Sequence, residues 1–215
     1  MITTIVLVIL GIALVFVLKT MFSTPGKPKP IAAAPAAAQL PDALDLDAWD
    51  AKKGDVVSIN GAAADFSDVD FPVDRRSAYE ANNRRWIDLS GLYRGQRVYL
   101  EIYRYPTPDY VAIVDPRKLT IADIALTEEQ LADMDTRQDP SAFVVFEGKQ
   151  WHYESSREIG YFENETGAGE GLYRWLFAEP NGSGLICVEK WEGEPFEVRL
   201  ARHFNKRDIT VYRAA

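Results

Sequence analysis

The first apolar stretch runs unbroken from Ile2 to Leu18 and stops at Lys19. As a helix rising about 1.5 Å per residue it spans about 25 Å, close to a hydrocarbon core of about 30 Å. Met21 and Phe22 lengthen it once Lys19 snorkels to the headgroups. No face of this run is polar, so the pattern predicts a transmembrane helix over residues 1–22, not a surface helix. The competing reading is a cleaved signal peptide. That reading asks for a basic n-region, and only the start amine precedes Ile2. Over residues 23–50 the apolar period disappears. Pro25, Pro28, Pro30 and Pro35 stand among Ala and Lys, and Asp42, Asp45, Asp47 and Asp50 follow. This composition predicts an extended spacer, Pro/Ala-rich and then acidic.

From about residue 51 short runs of branched and aromatic residues alternate with turn residues, the mark of β structure. Strands are expected at Val56 to Ile59, Trp86 to Leu89, Val98 to Tyr105 and Tyr110 to Val114. Asn60-Gly61, Arg94-Gly95, Pro106 and Pro108 punctuate them. The pattern then turns helical. Thr127 and Gln130 form a capping box, and Leu126, Leu131 and Met134 fall at helical spacing. A short connector helix is expected within residues 119–137, ending before Asp139-Pro140. Strands resume at Phe143 to Phe146, Trp175 to Phe177, Leu185 to Trp191 and Phe196 to Leu200, with Asn181-Gly182-Ser183-Gly184 as a hairpin turn.

The second set follows the order of the first. Trp86 and Trp175 are 89 positions apart, as are Pro106 and Pro195. Val98, Leu100, Glu101 and Tyr103 match Ile186, Val188, Glu189 and Trp191 after a one-residue slip. The expected fold class is therefore mainly β: two related small β-sheet or barrel-like units, about 53–118 and 141–215, joined by a short helix, behind an N-terminal transmembrane helix. Two ordinary meanders that happen to coincide are the alternative.

Several short motifs resemble the bacterial domain-of-unknown-function family 4178. They are Lys53-Gly54-Asp55-Val56-Val57, Trp86-Ile87-Asp88-Leu89 with Tyr99-Leu100-Glu101, Tyr173-Arg174-Trp175-Leu176 with Val188-Glu189-Lys190-Trp191, and the closing Asp208-Ile209-Thr210-Val211-Tyr212. The resemblance implies a bacterial β-rich module found near membrane components. It brings no catalytic residues.

Charge sets the expected topology. Lys19, Lys27 and Lys29 follow the apolar run and none precedes it, which places the C-terminal domain in the cytoplasm of a single-pass cell-membrane protein. The lone Cys187 offers no disulfide framework. The Asn164-Glu165-Thr166 sequon has no weight on that side. A net charge of −8 argues against nucleic acid. Arg75-Arg76 and Arg84-Arg85 are local exceptions, expected on a loop.

Candidate chemistry is sparse. His152 and His203 are far apart and lack partners at ligand spacing, so no metal site and no cofactor is expected. Cys187 lies centrally in an apolar strand, where a buried, inert thiol is expected. Asp65, Asp68, Asp70 and Asp74 lack the spacing of a calcium loop and are expected on a solvated loop. Gly167 to Gly171 lacks the Lys-Ser/Thr of a phosphate loop. Glu101 and Glu189 hold matching places. They face each other across a shared groove if the units pack about a pseudo-two-fold axis, but strand alternation predicts both on a wetter face as surface partners for Arg or Lys. Tyr103, Tyr105 and Tyr110 bracket Pro106-Thr107-Pro108 and are expected as a partner-binding rim. Two functions follow. One is a membrane-tethered, non-catalytic adaptor with a protein partner in an envelope assembly. The other is a small-ligand binder or enzyme with its site where the two units meet.

Overall fold

The computed structural model describes residues 46–214 apart from Asn181. The expected anchor and nearly all of the spacer, residues 1–45, lie outside the described residues. The chain forms β1 (Val56–Ile59), β2 (Val69–Ala81), β3 (Arg84–Tyr93), β4 (Gln96–Tyr103) and β5 (Asp109–Ile113) as one antiparallel meander. After a single turn at Ile121–Ile124 comes α1 (Glu128–Arg137), capped by Thr127 and Gln130 as the sequence predicts. A second meander follows: β6 (Phe143–Phe146), β7 (Lys149–Phe162), β8 (Glu170–Ala178), β9 (Gly184–Trp191) and β10 (Phe196–Phe204). The last strand, β11 (Ile209–Tyr212), returns to pair with β1. The structure is thus mainly β.

The two meanders are not separate units joined only by a helix. They share one sheet, ordered β11-β1-β2-β3-β4-β5-β10-β9-β8-β7-β6, and β2 also pairs with β7. That extra pairing closes β2–β5 and β7–β10 into a ring of eight strands. Two seams hold it: Ala78, Tyr79 and Glu80 against Phe162, Tyr161 and Gly160, and Tyr110, Val111 and Ala112 against Phe204, His203 and Arg202. Closure leaves fewer backbone groups unpaired at edges than two open sheets would.

β2 and β7 are the longest strands, and each carries a β-bulge, between Val73 and Arg75 and between Tyr153 and Ser155. A bulge adds one residue and switches the face on which alternating side chains fall. Phe71 and Val73 therefore point to one core while Tyr79, of the same parity, points to another. Trp151 and Tyr153 on β7 are related to Ile159 and Tyr161 in the same way.

Alternation along the other strands produces three apolar regions. The outer face of the first meander buries Phe71, Leu89, Leu100 and Ile102 with β1 and β11. The short turn Ala48–Asp50 covers it, with Ala48 and Ala51 buried. The folded part consequently begins by Leu46, inside the stretch expected as spacer. The outer face of the second meander buries Phe177, Ile186 and Val188 under Ile124 and Leu131. There the Trp175 indole N–H donates to the Leu131 carbonyl at 3.1 Å, pinning α1 to the sheet. The two inner faces meet inside the ring.

Register defines which residues correspond. Counted from the two bulges, Ser77 on β2 takes the place of Arg157 on β7; they lie opposite Asp88 and Arg174, which lie opposite Glu101 and Glu189, so the two glutamates stand at the same register position. The tryptophans do not. Leu89 lies opposite Leu100 and Trp175 opposite Val188, which makes Leu89 the counterpart of Trp175. Trp86 faces into the ring, whereas Trp175 packs in the outer core. The 89-position match is thus out of register, because the β8–β9 connection is longer than the two-residue β3–β4 turn.

Candidate functional site

The inner faces carry charge as well as apolar area. Glu101, Arg174 and Glu189 are only 3%, 3% and 1% exposed. The Arg174 guanidinium grips Glu101 with both ends, Nη1 donating to Oε2 at 2.9 Å and Nη2 to Oε1 at 2.8 Å. Nη2 also donates to Glu189 Oε1 at 2.6 Å. One cation from the second meander therefore ties together a carboxylate from each. Tyr103 donates its hydroxyl to Glu101 Oε2 at 2.6 Å, and Arg199 stands 3.8 Å from Glu189. Burial alone would lower the Arg174 pKa and raise that of Glu189. The opposite charges at hand outweigh it, so Arg174 is held well above its usual range and Glu189 below.

This reverses the expected wet setting of the glutamates. Alternation put them opposite the outer cores correctly, but ring closure buries that second face too. Asp88 shares the space, 1% exposed, with one carboxylate oxygen lacking a hydrogen-bond partner among the described atoms. Burial and the neighbouring Glu101 push its pKa up to about 7, against the pull of Arg75, Arg174 and Arg199. Beside it Trp86 is stacked between Tyr79 and Tyr103, with centroids 5.4 and 5.3 Å away.

A cavity of about 620 Å³ opens into this interior. Its buried wall comes from both meanders: Trp86, Glu101 and Val111 from the first, Arg174, Leu185 and Cys187 from the second. Its rim holds Arg104, Tyr105, Pro106 and Thr107 from the β4–β5 loop, with Arg157 from β7. Asp109 and His203 cross the β5–β10 seam at this rim, His203 Nδ1 lying 2.9 Å from Asp109 Oδ1. That hydrogen bond raises the His203 pKa despite partial burial, and the same contact lowers that of Asp109. Burial pushes the Cys187 thiol up to about 12, leaving it protonated and inert as expected.

The three tyrosines expected on one rim lie in three settings. Tyr105 is 77% exposed at the cavity mouth. Tyr103 is half-buried within the ring, committed to Glu101 and Trp86. Tyr110 is 4% exposed and packs in the first outer core, so it belongs to no rim. The reason is register: Tyr110 lies opposite Ile102 and shares its outward face.

Other expectations sort as follows. Asp70 and Asp74 lie on β2 and not on a loop, with Asp74 held by Arg97 through bonds of 2.8 and 2.9 Å. Arg75 and Arg76 are also on β2 and bind Glu163 and Glu165 at 3.1 and 2.9 Å; Arg84 and Arg85 begin β3. The Gly167-to-Gly171 stretch leads into a strand, so it has no helix N-terminus to offer a phosphate. Among the described residues no three His, Cys, Asp or Glu side chains gather as metal ligands. Arg174, Asp88 and the Asp109–His203 pair were missed from the sequence. The available signal was Arg174 itself, a charge flanked by aromatic residues in an otherwise apolar strand. No family model matches the chain, and no match to a curated protein or to a solved structure was found.

Proposed function

We propose that this chain is a membrane-tethered, non-catalytic binding module that takes a small ligand into the cavity between its two meanders. The observation that supports this reading is the cavity itself. It is walled by both halves, contains Glu101 and Arg174, and falls within the size of small-molecule sites, about 300–1,000 Å³. The chemistry around it supports binding over catalysis: Glu101 and Glu189 are locked on Arg174, and the thiol is protonated. Native mass spectrometry of the full chain, extracted gently from host membranes, tests the reading. A small molecule released on unfolding is the expected result. A ligand-free chain that co-purifies stoichiometrically with another protein would favour the adaptor reading, in which the exposed Tyr105 loop meets a partner in an envelope assembly.

The tether is part of the same proposal. The run from Ile2 to Leu18 anchors the chain once in a bacterial cell membrane, and the lysines after it hold the domain in the cytoplasm. An active alkaline phosphatase fused to the C-terminus would overturn that orientation. The matching strand plans, the paired bulges on β2 and β7 and the matched glutamates support descent of both halves from one duplicated unit. The short motifs named above support a place near domain-of-unknown-function family 4178.

A further inference from the structure

The charges around the cavity are unevenly matched. The chain carries a net charge of −8, yet arginines outnumber carboxylates among the residues lining this space. Most of those arginines are committed. Arg174 holds Glu101 and Glu189, Arg85 holds Glu80 at 2.7 Å, and Arg104 lies over the Trp49 ring at 4.5 Å with Asp50 at 3.9 Å.

Arg157 differs. It is half-buried at the cavity rim, and its guanidinium donates to the Ser155 hydroxyl at 2.8 Å. No carboxylate among the described residues lies within 4.0 Å of it. Its cross-strand neighbour on β8 is Arg174, and like charges directly opposite each other are destabilising. In the first meander the residue at the same register, opposite Asp88, is the neutral Ser77. The second meander therefore places a cation where the first has none, in a cavity that sets the apolar faces of Trp86, Leu176 and Leu185 beside the carboxylates of Glu101, Asp109 and Glu154.

We infer that the cavity selects a small, flat apolar molecule carrying one oxyanion, with Arg157 as the group that receives the anion. A guanidinium presents paired donors that match carboxylate or phosphate oxygens, and it binds them best where water is partly excluded. The aromatic wall supplies the contact area for the body. The inference rests on the cavity being the ligand site.

The test uses the full chain in lipid nanodiscs, with empty discs as the blank, and titration calorimetry with four probes of one shape: 2-naphthoate, 2-naphthyl phosphate, 2-naphthamide and 2-naphthylmethylammonium. The expected result is that one or both anions bind at least tenfold more tightly than the amide, and the ammonium most weakly. Arg157→Gln should erase that gap without lowering the melting temperature, since it also relieves the like-charge pair with Arg174, and Arg157→Lys should restore part of it. The two anions between them tell a carboxylate ligand from a phosphate one. Equal binding of anion and amide would overturn the oxyanion assignment and leave the cavity reading standing. An anion preference that survives Arg157→Gln would overturn the role of Arg157. Failure of all four probes to bind would count against both the assignment and the cavity.

Discussion

The outer cores and the ring interior are built from the same strands, residue by alternate residue, yet they differ in kind. Leu100 and Ile102 on β4 join an outer core of aliphatic and aromatic side chains, while Glu101 and Tyr103, which alternate with them, face a network of buried charge. Likewise Trp175 and Phe177 on β8 pack under α1, and Arg174 between their neighbours ties the halves together. The outer cores give each meander its own stability and ask only for apolar residues of suitable size. The interior is where polar groups are buried at a cost, which a purely structural core avoids.

The sharpest way to break this comparison is Arg174→Met. It strands two buried carboxylates, and such losses run to roughly 3–5 kcal/mol. Urea denaturation of the domain should show a loss of that size, and a change below about 1 kcal/mol would mean that the network holds little. Leu100→Ala, one residue from Glu101 but on the other face, should cost roughly 2–5 kcal/mol through its cavity. Its loss should be independent of pH between 5 and 8, since its side chain packs among apolar residues of the outer core.

Asp88→Asn comes next and has the opposite sign. The folded-state pKa of Asp88 is raised to about 7 from 3.8, so the folded chain keeps a proton that the unfolded chain has released. Asp88 therefore makes stability fall as pH climbs from about 4 to about 7. At about 1.4 kcal/mol per pKa unit, Asp88→Asn should stabilise the domain by roughly 1–3 kcal/mol at pH 8 and hardly at all at pH 4. Melting curves at the two pH values decide it, and an equal effect at both would show that Asp88 is not held protonated. The smallest effect is expected at the rim. Tyr105→Ala should move stability by no more than about 0.5 kcal/mol, because its side chain touches solvent. Its effect should appear in ligand or partner affinity alone.

Outer and inner faces were not equally legible in the sequence. Strands that are short runs of branched and aromatic residues between turn residues, such as β1, β4, β6 and β9, could be read directly, and so could α1 from its capping box. The two strands that close the ring, β2 and β7, were missed. On β2 Pro72 and the charges from Asp74 to Arg76 break the apolar rhythm, and the bulge beyond Val73 changes its phase. On β7 the polar run from Glu154 to Glu158 does the same around its own bulge. Without those strands no ring was expected, and without a ring the glutamates fell on a wet face. The matched places of Glu101 and Glu189 were visible. What brings them together, Arg174 and the β2–β7 seam, depends on pairing across some eighty residues, which local pattern does not encode.

Hydrogen exchange of the full chain, followed by mass spectrometry with and without 2-naphthoate, tests the central claim most directly. If the ring interior is the binding site and the outer cores are scaffold, added ligand should slow exchange in the β4–β5 loop and in the parts of β3, β7 and β9 that line the cavity. Exchange in β1, β11 and α1 should stay unchanged. Protection that appeared over β1, β11 or α1, or nowhere at all, would contradict the division of labour between the two faces.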